Sequence, residues 1–354
     1  MSKKLILTLV KTVLPLFLGA YLIWHSFSSM SPKEEIEFYK FIHEANYFWI
    51  IIATIFGFLA YLSRAFRWNY SLEAIGYKSK FWNRYHAIMI GYLINLTIPR
   101  AGEASRSAML YRSDGVPFSN SFGTIIAERA VDLILLVCIA FFTAFIGYND
   151  FFELKSQIEN YFSGGKSSEN GDLIKSIIKF VVGANGLIVF VIVIFKPTIR
   201  AKVFNFAKSV LTGLLSIFKL KNPFGYIFHS LFIWVCYIFM FYVTFYSSPI
   251  TAEIPLKGIL IAFIAGSLGV ILTNGGIGTY PILVGLVVAY YIKGQYPDSN
   301  IAFGIGNALG WIIWLSQTIL MVLLGVISFI FLPKNYSPEK DEQTELHTIE
   351  DRND

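Results

Sequence analysis

The chain has 354 residues, of which 55% are hydrophobic, 17% aromatic and 15% charged, with a formal net charge of +6. Soluble domains carry about 25% charged residues, and few hold apolar runs beyond the roughly 18 residues that span hydrocarbon, as several runs here do. This composition excludes a cytosolic enzyme, a nucleic-acid reader and a disordered scaffold, and it puts the chain in a bilayer.

Lys3 and Lys4 precede an apolar run over 5–27. The run is longer than the cleaved core of a signal peptide and has no clear small-x-small cleavage site, so it is the first expected span. Further full spans are expected at 46–63, 119–147, 176–195, 223–247 and 301–332, with shorter apolar segments at 82–98, 103–113, 257–273 and 279–293. Cys138 and Cys236 fall inside spans, where a thiol acts as a small apolar group, and no disulfide is inferred. The five histidines never join a cysteine or carboxylate cluster, so neither a metal site nor a cofactor is expected.

The basic residues orient the spans. Lys3, Lys4 and Lys11 flank the first span, Arg64, Arg67, Lys78, Lys80 and Arg84 follow the second, and six lysines and arginines over 196–221 follow the fourth. By the positive-inside rule these stretches are cytoplasmic, and so are both termini. The chain is then inside at Arg84 and outside by Asp150, so 82–147 makes an odd number of crossings. The leg from Glu103 to Ser113 is about 16 Å of helix against a hydrocarbon core of about 30 Å. It cannot cross, so 82–113 is expected to be a re-entrant hairpin turning at Pro99-Arg100-Ala101-Gly102. A second hairpin, entering from outside, turns at Thr273-Asn274-Gly275-Gly276-Ile277-Gly278. The expected fold is an all-α polytopic membrane protein of six full transmembrane helices plus two re-entrant helical hairpins, arranged as inverted repeats over about 1–147 and 176–333. Between the halves, 196–221 has apolar residues at steps of three and four, as in a helix lying on the inner surface. The tail 334–354 holds seven acidic residues and no apolar run, and is expected to be a disordered cytoplasmic segment.

Ionisable residues inside a span are costly, about 2.5–3.5 kcal/mol each on insertion scales, and so need partners or a wet cavity. Glu128, Arg129 and Asp132 lie near mid-depth in the span 119–147, with Glu128 and Asp132 four residues apart on one face. Arg100, Glu103 and Arg106 recur every third residue at the start of the first return leg. Arg100 is the expected partner of Glu128 or Asp132. Such charges can simply lock a hairpin to its neighbour; three arginines against three carboxylates exceed what one lock requires. Both return legs begin at buried turns, where a helix start leaves about four unpaired N–H groups and about half a positive charge. The glycines at 275, 276 and 278 permit the left-handed backbone of an anion-holding turn, although glycines also serve tight helix packing. A phosphate suits this arrangement, with Arg100 and Arg106 as charge-assisted donors.

At Pro99-Arg100-Ala101-Gly102-Glu103, Arg106, Gly115-Val116-Pro117 and Glu128-Arg129-x-x-Asp132 the chain resembles the flippase-like family, whose best-known members form the transmembrane region of lysylphosphatidylglycerol synthases. The resemblance implies an integral protein of the bacterial cytoplasmic membrane that moves polar lipids between leaflets. It implies head-group contacts at Arg100, Glu103, Arg106, Glu128, Arg129 and Asp132; Asn274 of the second turn is a further expected contact, and the hairpin turns are expected at Pro99, Gly102, Gly275, Gly276 and Gly278. The family's second turn often carries a carboxylate soon after its glycines, and Asn274-Gly275-Gly276-Ile277-Gly278-Thr279-Tyr280-Pro281 has none. A short acidic tail follows Pro333, so aminoacylation of lipid is not expected. The partners expected are membrane lipids, anionic or phosphate-bearing, and not nucleic acid. The alternatives are a membrane-embedded enzyme acting on a lipid phosphate, for which no catalytic motif speaks, and a non-transporting accessory subunit.

Overall fold

A computed structural model describes residues 17, 19–99, 101–150, 153–154 and 220–333. Regular structure among these residues is helical throughout. After a helical segment at 19–28, the chain forms α1 (Pro32–Glu44), α2 (Tyr47–Ala74), α3 (Phe81–Thr97), α4 (Gly102–Asp114), α5 (Phe118–Ile146), α6 (Pro223–Thr244), α7 (Leu256–Leu272), α8 (Thr279–Ile292) and α9 (Ser299–Phe331). Among the described residues four helices are long and apolar enough to cross a membrane: α2 with 28 residues, α5 with 29, α9 with 33, and α6, which a 3-10 turn extends to Ser247 for 25 in all. The expected span 176–195, most of 5–27, the amphipathic stretch up to 219 and the tail from 334 lie outside the described residues.

The long helices begin within three residues of the expected starts, and α2 departs from expectation at its end. Its apolar run stops at Ser63, but the helix continues to Ala74 with Ala60, Arg64, Arg67 and Ser71 all buried at steps of four, three and four. Arg64 and Arg67 are therefore interior residues of a helix, not loop charges, and Arg84 is buried within α3. Exposed Lys78 and Lys80 are what remains of that basic loop. The stretch 28–45, expected as a loop, contains α1, which starts at a capping box of Ser31 and Glu34 with Pro32 in its first turn.

α3 and α4 form one helical hairpin, α7 and α8 another. Their lengths of 17 and 13, and 17 and 14, residues correspond to about 20–26 Å of helix, short of a 30 Å core. The legs of the first touch backbone to backbone: a Cβ on Gly91 would stand 2.8 Å from the Gly102 carbonyl oxygen, and one on Gly102 would stand 2.5 Å from that of Gly91. Gly102 thus serves close approach. In the second turn the glycines serve conformation, with φ of 64° at Gly275, 79° at Gly276 and 74° at Gly278. Thr273 and Thr279 stitch that turn, their hydroxyls 2.6 Å apart, and Thr279 also donates to the Gly269 carbonyl at 2.7 Å.

The chain divides into two compact units. One comprises Thr54–Arg129, Ile217–Tyr237 and Gln317–Asp354 and holds the first hairpin. Its core is Trp68, Leu72, Ile88, Met89, Leu110 and Ile125, with Leu320 and Leu324 packed against them. The other comprises Met1–Ala53, Ala130–Ser216 and Ile238–Ser316 and holds the second hairpin. There α8 and α9 meet through glycine, since a Cβ on Gly306 would stand 2.5 Å from the Gly285 carbonyl oxygen and one on Gly310 would stand 2.7 Å from backbone atoms of Pro281.

Candidate functional site

In the unit of the first hairpin, Glu128 of α5 is 1% exposed and is held by two arginines from different helices. Arg106 of α4 donates from Nη2 to Oε2 at 3.1 Å, and Arg67 Nη2 of α2 stands 3.7 Å from the same oxygen. A buried carboxylate keeps its charge only with such partners, because the interior does not solvate it. Aromatic faces do the rest. The Arg106 guanidinium lies 3.7 Å from the centre of the Trp68 ring, and Trp68 is fixed by its Nε1 donating to Thr124 Oγ1 at 2.9 Å. Desolvated cation–π contacts of this kind contribute about 2 kcal/mol. Arg67 lies over Tyr226 and donates to Ser230 Oγ at 3.4 Å; Arg64 donates to Tyr237 Oη at 3.2 Å and faces Tyr92.

Glu103 and Arg129 form a second, more open rung, with Arg129 Nε 3.4 Å from Glu103 Oε1 and the side chains 43% and 25% exposed respectively. Between the rungs lies a small pocket where α3, α4 and α5 meet. Its polar lining is Tyr92, Asn95, Glu103, Arg106 and Arg129, and Gly91 and Gly102 also line it. It has room for about one water molecule. Two buried polar atoms of this cluster, Arg106 Nε and Glu128 Oε1, make no hydrogen bond among the described residues.

The structure thus brings together four of the expected head-group residues, Glu103, Arg106, Glu128 and Arg129. Asp132 is buried one turn further along α5. Asn274 is buried in the second turn, in the other unit, where the 19–28 segment covers the start of α8: a Cβ on Gly278 would stand 2.8 Å from the Gly19 carbonyl oxygen and 3.1 Å from Leu22 Cβ. Pro99 lies in the first turn, and Arg100 lies outside the described residues. Arg100, the expected partner of Glu128 or Asp132, is not among the described residues; among those that are, Arg106 and Arg67 pair with Glu128. Sequence reasoning missed Arg64, Arg67 and Trp68 because a charge ends an apolar run; the helical spacing that continues through Ser71 was the signal that could have placed them inside.

Long apolar helices enclosing charges buried beside a short helical hairpin define a polytopic integral membrane protein. Residues 12–303 match the family described as the lysylphosphatidylglycerol synthase TM region, and the chain belongs to that family. It is also similar to a UPF0104 membrane protein of Methanocaldococcus jannaschii, 30% identical over 113 residues, which are 31% of this chain and 33% of that protein. The chain therefore spans about a third of the length of the curated relative it matches. No solved structure matches it.

Proposed function

We propose that the protein is a flippase-like transporter that moves a phosphate-bearing polar lipid between the leaflets of the cell membrane. In this proposal the membrane holds six full spans and the α3–α4 and α7–α8 hairpins as re-entrant elements of an inverted repeat, with both termini cytoplasmic. The observation that carries it is the arginine cluster around Glu128, set against a pocket whose polar lining comes from the short α3–α4 hairpin and from Arg129 of α5. Arg106 supports this role best: it lines the pocket, its Nε is without a hydrogen-bond partner among the described residues, and Glu128 and Trp68 hold it in place. Guanidinium is the donor suited to phosphate, since its fork matches two oxygens at once. Glu103 and Arg129, which line the same pocket, are proposed as further head-group contacts. A pocket that takes one water must widen to admit a head group, so transport requires α4 to shift against α3 or α5, consistent with alternating access.

The test is leaflet exchange of a labelled phosphatidylglycerol in vesicles reconstituted with the full chain. Arg106→Ala and Glu128→Ala are expected to abolish exchange at equal reconstituted amounts, and wild-type rates in both would overturn the assignment. Mass analysis of the recovered lipid accompanies the assay: unchanged mass with changed leaflet supports transport, and altered mass replaces it with an enzyme.

A further inference from the structure

Glu34 is a buried carboxylate in the first turn of α1, whose other buried residues are Phe38 and Phe41. In the capping box of α1, Ser31 N–H donates to Glu34 Oε2 at 3.4 Å and Glu34 N–H donates to Ser31 Oγ at 3.3 Å. Glutamates in this role ordinarily stand in water, whereas Glu34 is 7% exposed. The cover is α9. A Cβ on Gly304 would stand 2.8 Å from Glu34 Cγ and 3.0 Å from the Glu34 carbonyl oxygen, so the start of α1 seats directly on the α9 backbone.

No cation answers this carboxylate: among the described residues no lysine or arginine pairs with Glu34, and neighbouring Lys33 and Glu35 face outward. The charged group bearing on it from the start of α9 is Asp298, which is of like sign and caps that helix by accepting the Asn300 N–H at 2.9 Å. From α9 itself the facing residue is Gly304, which carries no charge. Burial pushes the Glu34 carboxyl up to about 7; the Ser31 N–H opposes this and Asp298 adds to it.

The seat of α1 is continuous with deeper contacts. Gly304, Asn307, Trp311 and Trp314 recur at steps of three, four and three, one face of α9. Asn307 is fully buried, donates to Ser26 Oγ at 3.2 Å, and has an Oδ1 with no hydrogen bond among the described residues. Trp311 meets the Phe27 ring, which packs edge-on against Phe38 of α1, and Trp314 Nε1 donates to the Gly275 carbonyl at 2.8 Å. One helix face therefore carries α1, the 19–28 segment and the second turn.

We propose that Glu34 is a proton-binding site that latches α1 onto α9 when neutral and frees it when ionised. An ionised carboxylate enclosed without a cation must reach water, and lifting α1 from Gly304 opens that route. The sign follows from linkage. The docked state holds the proton more tightly than the released one, so docking is strongest below the ordinary carboxyl value of 4.5 and is lost as pH rises through about 7. This inference is independent of lipid transport and reaches the second turn through the α9 face.

The experiment is hydrogen–deuterium exchange of the full chain in lipid nanodiscs, corrected for the intrinsic pH dependence of exchange, followed at the amides of α1. Wild type is expected to lose protection in α1 as pH rises through neutrality. Glu34→Gln should stay protected across the range, and Asp298→Asn, which keeps the cap but removes the like charge that raises the Glu34 carboxyl, should shift the loss to lower pH. A protection that ignores pH in wild type, or the same loss in Glu34→Gln, would overturn the proposal. Should Glu34→Gln fail to fold, an unmoved midpoint in Asp298→Asn overturns it equally. The readout is exchange at α1, so its failure leaves the lipid assay untouched.

Discussion

Arg106 and Glu128 share a buried hydrogen bond of 3.1 Å, and the same guanidinium is stacked on Trp68. The pair joins α4 to α5, and Arg67 brings α2 to the same carboxylate oxygen. Removing one partner of a buried pair leaves the other charge without its compensation, a loss of about 3–5 kcal/mol. Glu128→Ala is therefore expected to lower the thermal unfolding midpoint clearly. Glu103→Ala, which breaks the half-exposed rung to Arg129, should cost about 0–1 kcal/mol. Thermal unfolding of the two variants in the same detergent checks the order, and equal losses would contradict the burial argument.

The Gly91–Gly102 contact predicts a sharper contrast. Gly91→Ala or Gly102→Ala puts a methyl 2.8 or 2.5 Å from a carbonyl oxygen that cannot rotate away, so the legs of the first hairpin must part, at about 1–3 kcal/mol. Gly123→Ala on α5 meets nothing within 4 Å and gains helix propensity, with an expected change between zero and about 1 kcal/mol of added stability. Thermal unfolding of the three variants reads the difference.

The starts of the long helices were legible in the sequence because apolar length is a local property; α1, which has no long apolar run, was not. Both hairpins could be read from the same source, as short apolar legs about glycine-containing turns. What was not legible is partner choice. Arg64 and Arg67 look like loop charges until α2 is seen to continue past them, and only tertiary packing supplies the tyrosines and the carboxylate that make their burial tolerable. Glu34 escaped notice for the reverse reason: a capping-box glutamate beside exposed lysines is ordinarily solvated, and its burial depends on a glycine 270 residues away in sequence at Gly304.

The second turn depends on two hydroxyls as well as three glycines. Thr279→Val keeps the shape of the side chain but removes the donor to Gly269 and the partner of Thr273 Oγ1, a loss of about 1–3 kcal/mol. Gly276→Ala adds a residue that disfavours φ of 79° and brings a Cβ 3.0 Å from that of Tyr280. Both variants are expected to raise amide exchange at the start of α8, and Thr279→Ser, which retains the hydroxyl, should restore wild-type protection relative to Thr279→Val.

Beyond the end of α5, Asp150 accepts from Lys257 of α7 and from Tyr291 of α8, with Lys257 Nζ 2.8 Å and Tyr291 Oη 2.9 Å from Oδ2. Glu153 accepts from Tyr290 at 2.8 Å and from Lys293 at 3.3 Å, tying the second hairpin to this segment twice. Burial works to raise the Asp150 carboxyl, but the hydrogen bonds from Lys257 and Tyr291 and the Lys257 charge outweigh it and hold it below 3.8. The Tyr290 and Lys293 hydrogen bonds hold Glu153 below its ordinary value too. A lowered carboxyl contributes stability above its unfolded value and loses it as pH falls through the folded one. Acid is therefore expected to loosen this junction only below about pH 4, with exchange rising first at the far end of α8. Asp150→Asn should be less protected there at neutral pH and show a flatter acid response, and an acid response as steep as in wild type would assign the loosening to other carboxylates.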